Sequence, residues 1–199
     1  MSWPAWPLAP DVSDVAPDVP DLSLVTARLR IRPLEAADAQ AVAAYRSDPA
    51  VARFQSWSTP YTVADAQDLV GGDPLAAGWF QSAIVLRSDG TLIGDLGVNL
   101  HENLQQAEIG FTLSTAYQGL GYGSEAVTGL LDQLFADRGL HKVSAECDAR
   151  NAASARLLER VGFRREGLRR SHTWIKGEWT DDLEFGLLAT DRILSSFGR

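Results

Sequence analysis

The hexapeptide Gln118-Gly119-Leu120-Gly121-Tyr122-Gly123 has the composition of an anion cradle. It stands between a strand pattern ending near Leu113 and a run in which Val127, Leu130, Leu131, Leu134 and Phe135 recur at helical spacing. A strand that turns through glycines into a helix aims several free backbone N–H groups at one spot. The helix dipole adds partial positive charge there, and the absent Cβ atoms let phosphate oxygens come close. A P-loop would end in Gly-Lys-Ser/Thr, whereas this loop runs into Gly123-Ser124-Glu125 and has no lysine. A dinucleotide fingerprint wants its third glycine where Ser124 stands, and the strands before it form a meander instead of a βαβ unit. Both nucleotide readings are therefore disfavoured. From the loop alone, a glycine-rich turn without a ligand stays open beside a cradle for another phosphate ester.

The elements around the loop supply its context. Leu24 to Pro33 alternates Leu29 and Ile31 with Arg28, Arg30 and Arg32, which predicts a half-buried strand. Residues 35–46 and 62–70 read as short helices, with an aromatic stretch carrying Phe54, Trp57 and Tyr61 between them. Strands are expected over about 79–87, 91–101 and 105–113, joined by loops too short for a parallel crossover and hence antiparallel. The helix after Gly121 closes at Gly139. Lys142 to Asp148 alternates again, and Asn151 caps a helix ending at Gly162. Strands near 163–176 and 178–189 then form a hairpin around Lys176-Gly177, before a short C-terminal helix. The class is α+β with a mixed sheet.

Bulk properties bound the function. A chain of 199 residues that is 45% hydrophobic suits one domain over residues 23–199. Residues 1–22 hold Trp3, Trp6, five prolines and four aspartates without lysine or arginine, and read as a separate arm. Composition favours a disordered leader; the other arrangement docks Trp3 and Trp6 on the domain or on a second subunit, giving a homodimer. A formal net charge of -8 argues against nucleic acid and toward cationic partners. One cysteine, Cys147, excludes an internal disulfide framework, no Cys/His spacing suits a metal, and a cytoplasmic setting is expected. No run is apolar for the ~20 residues a membrane span needs.

Several motifs in order carry a resemblance. Gln118-x-x-Gly121-x-Gly123 resembles the pyrophosphate loop of the GNAT superfamily of N-acetyltransferases. Ala107-Glu108-Ile109-Gly110-Phe111-Thr112-Leu113 resembles that family's fourth strand, and Asn151-Ala152-Ala153-Ser154 opens a helix similar to its Asn-x-x-Ser helix. Thr26-Ala27-Arg28-Leu29-Arg30-Ile31-Arg32-Pro33-Leu34 and the stretch from Glu166-Gly167 to Asp182 look like the ribosomal-protein N-acetyltransferase (Rim-type) branch. The resemblance implies a GNAT-like, mostly antiparallel sheet of about seven strands, with helices on both faces and splayed fourth and fifth strands.

It also implies acetyl-CoA as cofactor and direct attack of a primary amine on the thioester. Phe111, Thr112 and Leu113 would then line the pantetheine arm. Gln118, Gly119, Leu120, Gly121, Tyr122, Gly123 and Ser124 would hold the pyrophosphate, joined by Asn151 and Arg156. The family's usual tyrosine acid falls on Leu158, so Ser154 is the expected partner of the leaving thiolate. Glu108 is the first choice of base, with Tyr117, Tyr122 and His172 as further groups able to approach a substrate. Asn151 is equally a plain helix cap, Ser154 a first-turn serine bonding its own backbone, and Arg156 part of a solvated face. His101 and His141 read as surface residues. Cys147 reads as a small core hydrophobe, with a thiol near the cofactor as the alternative. The acceptor implied by the branch is a protein or peptide N-terminal α-amine. A small amine such as a polyamine, amino acid or aminoglycoside is the alternative, and a non-catalytic acyl-CoA sensor is the reading from a different class.

Overall fold

The structure, a computed structural model, describes residues 22–196. The arm expected over residues 1–22 lies outside this range except for Leu22, which is wholly buried in the main core. One eight-stranded sheet, in the order β1-β2-β3-β4-β5-β6-β8-β7, organises the chain. Its strands are β1 (Leu24–Val25), β2 (Leu29–Pro33), β3 (Gly78–Leu86), β4 (Leu92–Leu100), β5 (Gln106–Leu113), β6 (Lys142–Asp148), β7 (Arg164–Ile175) and β8 (Glu178–Leu188). Among the described residues, only β5 and β6 pair in parallel.

The expected first strand is two. Thr26 turns the chain: its N–H donates to the Leu29 carbonyl at 2.9 Å, and its hydroxyl accepts the Leu29 N–H at 3.0 Å. Leu24 consequently lies opposite Ile31 in an antiparallel hairpin, and the sheet has eight strands where seven were expected. The helices are α1 (Ala39–Arg46), α2 (Pro49–Ala52), α3 (Val63–Gln67), α4 (Tyr122–Asp132), α5 (Ala152–Arg160) and α6 (Ala189–Ser196). α2 escaped the sequence reading. Asp48 caps it through the Ala50 N–H at 2.8 Å, and Pro49 opens its first turn. The apolar stripe after Gly121 continues beyond α4 through a π turn over Gln133–Asp137.

Alternation along the strands gives the sheet two different faces. Ala107, Ile109, Val143, Ala145, Leu183, Phe185 and Leu187 join the main core with Ala126, Val127, Leu130, Leu131 and Leu134 of the α4 segment and Leu158 of α5. A second cluster joins Val42, Ala43 and Tyr45 of α1, Val51 of α2 and Ala66 of α3 to Ala83 and Val85 of β3. Helices therefore cover both faces. Pairing of β5 with β6 stops after Glu108↔Ser144, so Ile109–Leu113 parts from its neighbour. This is the expected splay. Among the described residues, no helix is long and apolar enough to cross a membrane.

Candidate active site

The glycine loop is held from inside by Gln118, whose Nε2 donates to the Leu113 carbonyl at 2.9 Å. Gly119 and Gly121 adopt φ of +72° and +85°, where a side chain would be strained. Gly121 is the N-cap of α4 and its carbonyl accepts the Glu125 N–H at 3.0 Å. The first N–H groups of α4, at Tyr122, Gly123 and Ser124, have no acceptor within the helix. A Cβ at Gly123 would stand 2.7 Å from Leu157 Cδ1 and 3.2 Å from Leu113 Cδ1, so glycine sets how closely α4, α5 and β5 approach. At the start of α5, Asn151 Oδ1 accepts the Ser154 N–H at 3.2 Å, which is the N-cap expected from sequence.

Between the loop, the unpaired end of β5 and the start of α5 lies a cleft of about 420 Å³, large enough for part of an extended ligand. Phe111, Thr112, Leu113, Gln118, Gly119, Gly121, Gly123, Ser124, Asn151, Ser154 and Arg156 all line it. Leu120 and Tyr122 do not: Leu120 is 56% exposed, and Tyr122 packs edge-on against Tyr117 with ring centroids 6.3 Å apart. The sequence reading passed over Arg160, which stands one turn after Arg156 on the same helical face and reaches Ser124 Oγ at 3.4 Å. It also did not place Ala50, Val51, Phe54 and Gln55 on the cleft wall. Among the described residues, two arginines and no carboxylate line the cleft, in a chain whose net charge is -8. That distribution suits a phosphorylated ligand. Leu158, where the resemblance puts an acid, is buried in the core, and it is Leu157 that lines the cleft.

The opposite face at the splay is polar. Glu108, Ser144, Glu146, Asp182 and Glu184 project there, because their strand neighbours face the main core. Arg169 Nη2 lies 2.9 Å from Glu146 Oε1 and also pairs with Glu184. His172 Nδ1 sits 3.0 Å from Asp182 Oδ2, and Thr173 Oγ1 bonds the same oxygen. Glu146, His172 and Asp182 bring three ligand-type atoms within 4.8 Å of one another, but the Arg169 guanidinium, 3.0 Å from His172 Nε2 and 2.9 Å from Glu146 Oε1, already places a positive charge against the group. Glu108 forms no ion pair among the described residues. Burial, and then the nearby Glu146, push its carboxyl above the usual range. Glu108 is not among the described residues that line the cleft, whereas Ser154 is. Tyr117 packs against the main core, His141 is exposed and His101 half-buried. Burial together with Asp148 and Asp182 pushes the Cys147 thiol up to about 11; it packs against the core as a neutral side chain.

Residues 28–164 match the acetyltransferase (GNAT) domain family. The chain belongs to that family. The uncharacterized N-acetyltransferase p20 of Bacillus licheniformis is 33% identical over 171 residues, 83% of this chain and 96% of the relative. A GNAT-family acetyltransferase from Bacillus anthracis has a solved structure that superposes with a TM-score of 0.77 at 28% identity, covering 84% of this chain and 99% of that one. The ribosomal protein uS5-alanine N-acetyltransferase of Escherichia coli is 29% identical over 83 residues, 42% of this chain and 43% of that enzyme. GNAT enzymes use acetyl-CoA, and this chain is an acetyl-CoA-dependent N-acetyltransferase of mixed α+β fold. The cleft fits that cofactor: its arginines and glycine turn suit phosphates, and Phe111 to Leu113 belong to the strand end left unpaired by β6, whose free backbone groups suit an amide-bearing arm.

Proposed function

We propose that this GNAT enzyme acetylates the N-terminal α-amine of a protein or peptide. Bound acetyl-CoA supplies an activated acyl group as a thioester. Gly119 to Ser124 and Arg156 hold its phosphates, and the edge of β5 at Phe111–Leu113 guides its arm to the gap beside β6. Glu108 takes the proton of the amine, directly or through a water, and the Ser154 hydroxyl donates a hydrogen bond to the departing sulfur. The observation that carries this reading is the division of charge across the splay, with arginines on the cleft and, on the opposite face, the Glu108 carboxylate, which is hydrogen-bonded by Asn99 and engaged in no salt bridge among the described residues. The acceptor therefore enters from the Glu108 face.

Two arguments favour an α-amine. An α-amine has a pKa of roughly 8 against about 10.4 for a lysine-type amine, so a carboxylate base has about 3 kcal/mol less to overcome. Arg169 and His172 also occupy Glu146, Glu184 and Asp182, which leaves Glu108 to receive one ammonium group and too few free carboxylates for a polycation. The partial likeness to the uS5-alanine enzyme points the same way.

The test measures free thiol released from acetyl-CoA with a peptide bearing a free N-terminus, an Nα-blocked lysine peptide, spermidine, an amino acid and an aminoglycoside. The free-terminus peptide is expected to give the highest kcat/KM. Preference for spermidine or another small amine would replace the acceptor, and no turnover with any amine would indicate a sensor. For Ser154→Ala we expect kcat to fall about tenfold, the scale of one lost hydrogen bond, with CoA affinity retained. An unchanged kcat would take Ser154 out of the reaction.

A further inference from the structure

The glycine loop is braced from outside the cleft by residues of the β1–β2 hairpin. Arg28 Nε donates to Glu125 Oε2 at 2.6 Å, and the Arg28 backbone N–H donates to Glu125 Oε1 at 2.7 Å. Thr26 Oγ1 donates to the same Oε1 at 2.6 Å. Arg28 Nη1 reaches into the loop and donates to the Leu120 carbonyl at 3.1 Å. Its guanidinium carbon lies 4.3 Å from the centroid of the Tyr122 ring, and Nη2 would be 3.3 Å from a Cβ built on Gly121. The hairpin is itself fixed, because Arg87 Nη1 donates to the Thr26 and Ala27 carbonyls at 2.8 and 3.0 Å.

These contacts converge on one object, the turn from Gly119 to Glu125. Glu125 sits in the first turn of α4, and Leu120 at the tip of the loop. One side chain, Arg28, bonds both. Burial raises the Glu125 carboxyl, but the bonds from Thr26 and Arg28 outweigh it and hold the group ionised below its ordinary value. The loop carries no regular backbone pairing of its own between Gln118 and Gly121. Its two positive-φ glycines, Gly119 and Gly121, have many conformations to lose on ordering. Gln118 ties only the start of the loop, to the Leu113 carbonyl, so contacts from outside it at Leu120 and Glu125 help to select the shape in which its N–H groups converge.

We infer that Arg28, locked by Glu125 and Thr26, is a positioning residue that pre-forms the phosphate-binding loop, acting from the face away from the ligand. The inference rests on the loop being the pyrophosphate cradle. Preorganisation lowers the ordering cost of binding, so its loss appears as weaker affinity. The experiment measures CoA affinity by titration calorimetry, backbone amide exchange of residues 119–125 in the ligand-free protein, and Tm. Variants are Arg28→Ala, Glu125→Gln and Gly121→Val.

For Arg28→Ala we expect CoA Kd to rise about tenfold, loop amides to exchange faster, and the amides of β3 and β4 to keep their protection. Glu125→Gln, which retains size and loses the charge, should move both readouts in the same direction by less and serves if Arg28→Ala folds poorly. Wild-type CoA affinity in Arg28→Ala overturns the inference. Weaker affinity with unchanged loop exchange also overturns it, because Arg28 would then act on the ligand and not on the loop. Gly121→Val separates the two layers: normal CoA affinity in that variant would remove the cradle itself, whereas weakened affinity there with normal affinity in Arg28→Ala would remove the brace alone.

Discussion

Glu108→Gln is expected to lower kcat on the order of 100-fold, the usual scale for a lost general base, with CoA affinity unchanged. The argument is positional. Glu108 is the last residue of β5 still paired with β6, and the strands separate immediately after it. A carboxylate there is fixed by the sheet and lies where β5 and β6 begin to part. Burial and the neighbouring Glu146 raise its proton affinity, which would bring the proposed base nearer in pKa to an amine. A carboxylate in the proposed role acts in its ionised form. Activity should therefore fall as pH drops through a limb lying above the ordinary carboxylate range, and Glu108→Gln should erase that limb. The stability sign is opposite. A carboxyl whose folded pKa is raised stabilises the fold below its unfolded pKa and loses that contribution as pH rises through the folded value. At neutral pH the amide variant should consequently melt no lower than the parent. A pH-rate profile and a thermal melt decide it; a full acid limb in Glu108→Gln would transfer the role to another group, with His172 on the same face as the next candidate.

How much of this was legible in the sequence depended on whether a feature is local. The strands β5 and β6 were readable because Ala107/Ile109 and Val143/Ala145 alternate with polar residues, and that period follows directly from a sheet with one apolar face. Asn151 was readable as a cap because the cap is a bond to a residue three positions away. The split of the first strand was not. Leu29 and Ile31 alternate with arginines, but the two residues of β1 are too few to show a period, and the turn at Thr26 is stabilised by Arg87 and Glu125, which are remote in sequence. α2 has four residues, too few for any period, although Asp48-Pro49 is a helix start in miniature. Arg160 was open to view, since it stands four positions after Arg156 on α5. The charge pattern opposite the cleft depended on register: Arg169 meets Glu146 and Glu184 only because β8 lies between β6 and β7, an order that no local pattern specifies.

The largest loss of stability is expected from Asp95→Ala. Asp95 is 2% exposed on β4 and binds Arg46, itself 5% exposed, with Arg46 Nη2 2.9 Å from both carboxylate oxygens and Nε 3.2 Å from Oδ2. Tyr45 donates its hydroxyl to the same Oδ2, and burial first, then the charge of Asp95, drives the Tyr45 phenol far above its usual pKa. Removing the carboxylate strands a guanidinium away from water, which costs about 3–5 kcal/mol. Against a total of roughly 5–15 kcal/mol for a domain this is a large share, and at about 2–4 °C per kcal/mol it corresponds to a fall in Tm of roughly 6–20 °C. The damage should also reach the site. Arg46 stacks 4.2 Å from the Trp57 ring centroid and 5.3 Å from that of Tyr61, while Trp57 Nε1 donates to the Arg46 carbonyl at 3.1 Å. Ser47 Oγ bonds both the carbonyl and the N–H of Tyr61. The ion pair thus anchors the segment from Phe54 to Tyr61, whose first residue lines the cleft. Thermal melts and near-UV circular dichroism of the tryptophans should report the two effects together. Asp95→Asn, which keeps an acceptor for Arg46, should fall between variant and parent. A Tm for Asp95→Ala equal to that of the parent would mean that the α1–β4 contact is held by its apolar neighbours Val42, Ala43 and Ala83 alone, and that the buried charges contribute nothing net.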